Sequence, residues 1–127
     1  MSQPTIGCGI DVVEVARFRR ALQRGGDALL KKIFTSRERL YARRRARTAI
    51  LHLAARFAAK EAVIKAVSQL RPTRTLAMRQ IEVHNDRWGR PSIILHDGSV
   101  KGITIAVSLS HANTVAVASA IAMTSRG

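Results

Sequence analysis

Thr48-Ala-Ile-Leu-His-Leu-Ala-Ala-Arg-Phe-Ala-Ala-Lys-Glu-Ala-Val-Ile-Lys-Ala-Val67 is the longest helical pattern in the chain. Alanine and leucine favour the helix, no glycine or proline interrupts it, and Pro72 closes the segment soon afterwards. Apolar side chains occupy nearly the whole circumference, so the helix is predicted to be central and buried. A buried helix demands a reason for each polar residue it carries, here His52, Arg56, Lys60, Glu61 and Lys65. Glu61 and Lys65 stand four apart on one face, either as a routine helical ion pair or as members of a site. His52 has no partner at ligand spacing and reads as a packed or snorkelling polar side chain.

Upstream, Thr35-Ser-Arg-Glu38 has the form of a capping box and opens a basic helix predicted to run through Arg47. Before it, Val15, Phe18, Ala21 and Leu22 recur at helical spacing, and Gly25-Gly26 is predicted to stop that helix before a second short one from Ala28 to Phe34. Ile6 to Val13 reads as a strand whose Gly7 and Gly9 let the backbone approach something closely. Asp11 near its end reads either as an acid complementing the next helix's dipole or as a metal ligand. Downstream the period becomes two. Ile81 and Val83 pair with Ile93 and Leu95 around a turn from Asn85 to Gly89, and Ile103 to Leu109 pairs with Val115 to Ile121 through Ser110-His-Ala-Asn113. His111 thus falls in a turn, as an incidental residue or a donor to an anion. The connection from His96 to Gly102 leaves little room for a helix. Strand, helices and then two hairpin-like strand pairs predict an α+β fold, helices packed on a small antiparallel sheet, with residues 1–127 forming one domain.

Composition narrows the function. At 46% hydrophobic and 24% charged, the 127-residue chain is globular rather than disordered. It has no secretory h-region after a basic start and no run of about 18 apolar residues, so a cytoplasmic protein with no membrane span is expected. The lone Cys8 excludes a disulfide framework and a cysteine zinc site. Lys and Arg number 22 against 8 acids, for a net charge of +14. Twelve of those cations and only two acids lie between Arg17 and Arg47. Such a surface attracts nucleic acid, an acidic protein, anionic lipid or a polyphosphate ligand. Arg17, Arg20 and Arg24 share a helix face opposite Phe18 and Leu22, as a solvated charged face or a docking face for an acidic partner. If the fold brings Asp11 and Glu61 together, two carboxylates with water and phosphate oxygens complete an octahedral Mg²⁺ shell.

Three segments resemble, in order, the signatures of holo-(acyl carrier protein) synthases, the small stand-alone class of 4′-phosphopantetheinyl transferases. They are Gly7-Cys-Gly-Ile-Asp11-Val-Val-Glu-Val-Ala-Arg17, Arg56-Phe-Ala-Ala-Lys-Glu61-Ala-Val-Ile-Lys65-Ala and Val107-Ser-Leu-Ser-His111. Lesser matches are Ile33-Phe-Thr35 with Glu38, and Ile81-Glu-Val-His-Asn-Asp86 with Gly89-Arg-Pro91. The resemblance implies transfer of 4′-phosphopantetheine from coenzyme A to a serine of an apo acyl carrier protein, releasing 3′,5′-ADP. It implies Mg²⁺ on Asp11 and Glu61, catalytic roles for Glu61, Lys65 and His111, and coenzyme A contacts from Arg56, Lys65 and His111. It further implies an acidic carrier protein docked on Arg17, Arg20 and Arg24, and a homotrimer with sites between subunits. The family's Gly-Thr-Gly turn after the helix motif is replaced here by Ser68-Gln-Leu-Arg-Pro-Thr-Arg-Thr75, which offers Arg71 and Arg74 as phosphate donors in its stead. Two other readings compete. One is a degenerate transferase that binds the carrier protein without modifying it. The other is a basic nucleic-acid-binding module, against which the 4% aromatic content counts.

Overall fold

The computed structural model describes residues 5–98 and 100–125. Strand β1 (Ile6–Glu14) runs straight into helix α1 (Val15–Ile33), followed by α2 (Ser36–Arg43), a 3-10 turn (Ala46–Thr48) and the long helix α3 (Ala49–Leu70). A second 3-10 turn (Met78–Gln80) leads into β2 (Ile81–Asn85), β3 (Pro91–Leu95), β4 (Ile103–His111) and β5 (Val115–Thr124). Strands β1, β5 and β4 form one antiparallel sheet in that order, and β2 and β3 form a separate hairpin. This is the α+β arrangement that the sequence predicts, and no helix occupies the short β3–β4 connection among the described residues.

Helix α3 lies across the inner face of the larger sheet. Its Ala54, Ala58, Ala59, Ala62 and Ala66 are fully buried, as are Ala116, Ala118 and Ala122 of β5. Small side chains on both surfaces let helix and sheet approach closely, and two glycines take the approach to its limit. A Cβ on Gly7 would sit 2.2 Å from the Ala66 carbonyl oxygen, and one on Gly9 would sit 2.1 Å from that of Ala62. The close approach anticipated for these glycines is therefore to the central helix.

The β2–β3 hairpin packs with its free edge against charged side chains in place of a third strand. The Ile81 carbonyl accepts from Lys60 Nζ at 2.6 Å, the Val83 N–H donates to Glu38 at 2.9 Å, and the Val83 carbonyl accepts from Arg56 at 2.5 Å. Lys60 and Glu38 also pair with each other at 2.7 Å, both side chains fully buried. Three charged residues thus satisfy a buried sheet edge whose polar groups need partners.

Several boundaries differ from those read in the sequence. Gly26 (φ 62°, ψ −154°) interrupts α1 as predicted, but the helix resumes at once, giving a kink rather than two separated helices. The capping box at Thr35 and Glu38 is present, yet α2 ends at Arg43 instead of Arg47. There Arg45 turns back and donates to the Tyr41 carbonyl at 3.2 Å, taking one of the acceptors that helix continuation would use. His111 is the last residue of β4, opposite Ala116 of β5, rather than a turn residue.

Candidate active site

Alternation along β1 places Gly7, Gly9, Asp11 and Val13 on the face toward α3. Val13 closes into the core. Asp11 emerges beside the exposed end of that contact, where its side chain is 20% exposed. Lys65 reaches across from α3 and donates to Asp11 Oδ1 at 3.2 Å and to the Ile10 carbonyl at 2.9 Å. The partner of Lys65 is thus Asp11, which corrects the reading of Glu61 and Lys65 as a helical ion pair. Glu61 is half-buried in the same cavity, and its side chain makes no hydrogen bond or ion pair among the described residues. Burial raises its pKa above the ordinary carboxylate value, the Asp11 charge adds to the rise, and Lys65 opposes it.

The cavity around these acids measures about 650 Å³. Its apolar wall includes Phe18, Leu22, Leu29 and Phe57, and Arg17 stands at its side. Arg17, Arg20 and Arg24 are all exposed on α1, so the predicted basic face exists and one end of it meets the acidic cavity. Among the described residues no group of three or more ligating side chains stands together. Asp11 and Glu61 line this one cavity, and two carboxylates without a third protein ligand suit a hard cation that keeps most of its shell as water and phosphate oxygen, which is the habit of Mg²⁺.

A second cavity, of about 250 Å³, shares no residue with the first. It is lined by Tyr41, His52, Arg56, Asn85, Pro91 and His111, among others. Arg56 is 3% exposed and is fixed by the Val83 carbonyl and by Asn85 Oδ1 at 2.6 Å, with its guanidinium 4.1 Å from the Tyr41 ring centre. The His52 ring lies 6.0 Å from that of His111 and 5.4 Å from that of Tyr41, edge to face in each case. Burial, helped by the charges of Arg45, His111 and Arg56, lowers the His52 pKa and favours its neutral form. This cavity therefore offers fixed cationic and hydrogen-bonding groups to an anion. Arg56 and Glu61 serve different cavities because five residues on a helix turn the side chain by about 140° and advance it by about 7.5 Å.

Of the residues singled out in the sequence, the fold brings Asp11, Glu61, Lys65 and Arg17 together, and separately Arg56 and His111. Arg71 and Arg74 line neither cavity; Arg71 bonds back to the Leu70 carbonyl at 3.1 Å and Arg74 is exposed. Sequence reasoning missed Tyr41, His52 and Asn85. His52 had a usable signal, since it precedes Arg56 by four and shares its helix face.

Residues 7–120 match the family model of the 4′-phosphopantetheinyl transferase superfamily. The chain belongs to that superfamily. It is 42% identical over 124 residues to the holo-[acyl-carrier-protein] synthase of Mycolicibacterium smegmatis, covering 91% of this chain and 95% of the relative. The fold superposes on an ACPS–CoA complex from Chronobacterium ammoniagenes with a TM-score of 0.82 at 31% identity, over 97% of this chain and all of that one. It also matches the Bacillus anthracis holo-(acyl-carrier-protein) synthase in complex with CoA (3′,5′-ADP), with a TM-score of 0.77 at 30% identity, over 96% of this chain and 100% of that one. No helix among the described residues is long and apolar enough to cross a membrane.

Proposed function

We propose that this chain transfers the 4′-phosphopantetheine group of coenzyme A to a serine of an apo acyl carrier protein, releasing 3′,5′-ADP in a Mg²⁺-dependent reaction. We propose further that it does so as a homotrimer in which each site joins the acidic cavity of one copy to the basic cavity of the next. The observation that carries this reading is the division of labour within one chain. The carboxylates sit in one cavity and the anion-binding groups in another, with no residue in common.

The outer face of the large sheet supports assembly. Ile6, Ile10 and Val12 of β1 are 60%, 62% and 60% exposed, and Ile121 and Met123 of β5 are 47% and 42% exposed. The register sets Ile6 beside Met123 and Cys8 beside Ile121, so these side chains form one continuous apolar surface. A surface of that kind favours burial against further copies of the chain.

In this reading the serine oxygen attacks the phosphorus that bears pantetheine. The new O–P bond forms as the bridging P–O bond of the pyrophosphate breaks, 3′,5′-ADP leaves with the bonding pair, and the serine proton is lost to a base. Asp11 and Glu61 would hold Mg²⁺, which when bound offsets charge on the pyrophosphate. Lys65, anchored on Ile10 and Asp11, is placed to donate to a phosphate oxygen beside that pair. Arg56 and His111 receive the nucleotide phosphates in the second cavity, and Arg71 and Arg74 reach phosphate only if a neighbouring copy supplies the rest of the site. Arg17, Arg20 and Arg24 present a cationic face to the acidic carrier protein, and the apolar wall running from Phe18 to Leu29 gives a docked helix something to bury against. In this reading the reaction takes place in the cytoplasm.

The mass of an apo acyl carrier protein incubated with coenzyme A, Mg²⁺ and this protein tests the reading. A gain equal to one phosphopantetheine is expected; an unchanged mass overturns it. Composite sites are tested by co-expressing Asp11→Ala with His111→Ala chains. Each variant alone is expected to be inactive and the mixed oligomer to recover activity. A mixed oligomer as inactive as its parents refutes the arrangement.

A further inference from the structure

Trp88 is the sole tryptophan of the chain and stands 66% exposed at the turn between β2 and β3. The turn is rigid. The Asp86 carboxylate accepts from the backbone N–H groups of Trp88 and Arg90, both at 2.9 Å, and from Arg90 Nε at 2.8 Å. Asn85 Nδ2 donates to the Gly89 carbonyl at 3.1 Å, and Gly89 takes the φ of 81° that the turn requires. A large aromatic ring is thus held out in solvent on a fixed support.

Its position relates it to the second cavity, because Asn85, Gly89 and Pro91 of the same turn line that cavity with His52, Arg56 and His111. At about 250 Å³ the cavity falls below the roughly 300–1,000 Å³ of ordinary small-molecule sites. A nucleotide that seats a phosphate there carries its base out over the rim. Tyr41 lines the cavity, and Trp88 directly precedes Gly89, which also lines it. Tyr41 is already covered by the guanidinium groups of Arg45 at 3.6 Å and Arg56 at 4.1 Å, and Arg56 is fixed by Val83 and Asn85. Trp88 carries Arg87 at 4.1 Å and Arg90 at 5.0 Å. Arg90 is tied to Asp86, whereas Arg87 has no ion pair or side-chain hydrogen bond among the described residues and is displaceable. An indole ring with a movable guanidinium beside it is a platform on which any planar base can stack.

We infer that Trp88 is a nucleobase platform at the mouth of the His52–Arg56–His111 cavity, receiving the base of a purine nucleotide whose phosphate is seated on Arg56 and His111. The inference rests on the coenzyme A reading above and adds a binding residue to it. Arg87 leaves the ring as the base arrives and is then free to meet a phosphate oxygen.

Trp88 emission reports directly on the contact, since no other tryptophan contributes. Titrating the intact protein with 3′,5′-ADP is expected to quench that emission, while inorganic pyrophosphate at equal occupancy leaves it unchanged. By calorimetry, Trp88→Ala is expected to bind 3′,5′-ADP roughly tenfold more weakly, near the low end of the cost of losing base stacking, with Trp88→Phe recovering most of the loss. Circular dichroism checks that the variants keep the native fold, as the exposure of Trp88 implies. Binding of 3′,5′-ADP with unaltered Trp88 emission and undiminished affinity in Trp88→Ala overturns the platform and leaves the coenzyme A reading standing. Equal quenching by pyrophosphate also overturns it. Failure of the native protein to bind 3′,5′-ADP at all overturns both.

Discussion

Replacing Lys60 with Met isolates the buried charge network that carries the hairpin. Lys60 Nζ donates to Glu38 at 2.7 Å, to the Met78 carbonyl at 2.9 Å and to the Ile81 carbonyl at 2.6 Å. Neither member of the ion pair touches solvent. Burial lowers the Lys60 pKa and Glu38 pulls it back, as expected of a pair whose desolvation cost rivals its attraction. The damage from Lys60→Met therefore arises from what is left behind. A buried Glu38 carboxylate without its partner costs about 3–5 kcal/mol, and the orphaned Ile81 carbonyl pushes the total toward the upper end. At about 2.1 cal/mol/K of unfolding entropy per residue, the 127-residue chain should lose roughly 10–20 °C in Tm.

Thermal melts followed by circular dichroism at one fixed protein concentration measure this loss, since association makes Tm concentration-dependent. Adding Glu38→Gln removes the stranded charge and should raise Tm above that of Lys60→Met alone. A single variant melting within about 3 °C of native, or a double variant melting below the single, would refute the account of the network.

Four other outcomes follow from the site and its support. Burial and Asp11 raise the Glu61 pKa, so the folded state holds that proton more tightly than the unfolded chain; the associated stability is complete in acid and lost as pH rises through the raised value. Glu61→Gln should thus melt higher than native at pH 7 without metal, with the gap closing in acid, and should lose both transfer activity and stabilisation by Mg²⁺; a lower Tm at pH 7 would make Glu61 a structural partner. Lys65→Ala should cost under about 1 kcal/mol of stability, because the pair with Asp11 is half exposed, yet raise KM for coenzyme A; an unchanged KM would return Lys65 to a structural role. Arg17→Glu should raise KM for the carrier protein by about an order of magnitude, flatten its salt dependence and spare KM for coenzyme A, and equal effects on both constants would sink the docking face. Gly9→Ala should force β1 away from Ala62 and carry Asp11 with it, lowering kcat by about a hundredfold through misplacement, a result overturned by near-native turnover.

The sequence showed the element order, both strand pairs and the buried nature of α3, because periodicity and capping are local signals. It also showed Gly7 and Gly9 as points of close approach, though the partner had to come from the fold. Lys65 shows what local reading misses. Spacing four residues from Glu61 suggested a pair along the helix, whereas the third dimension supplied Asp11 from a strand 54 residues earlier. The Glu38–Lys60 pair was equally invisible, since 22 residues and a chain reversal separate its members. Its charges replace a strand at the hairpin edge, and alternation along β2 cannot disclose what lies beside that edge. Tyr41 and Asn85 were missed for the same reason, while His52 was accessible through its helical phase with Arg56.

The phase of α3 explains why a small fold with one central helix leaves its chemistry in two places. Helix positions 56 and 60 turn toward the hairpin, where their cations are consumed in part by the edge of β2. Positions 61 and 65 turn toward β1, where Asp11 waits at the end of a glycine-lined contact. The close alanine packing of α3 against the sheet holds Arg56 and Glu61 on their separate faces, each lining a different cavity. In the reading proposed above, a pyrophosphate held at the carboxylates of one copy would meet the Arg56–His111 cavity of the next. The exposed apolar side chains of β1 and β5 are the surface on which that reading has the copies meet. Placing a charge on that face, as in Ile10→Glu, should then abolish transfer although Ile10 lines neither cavity.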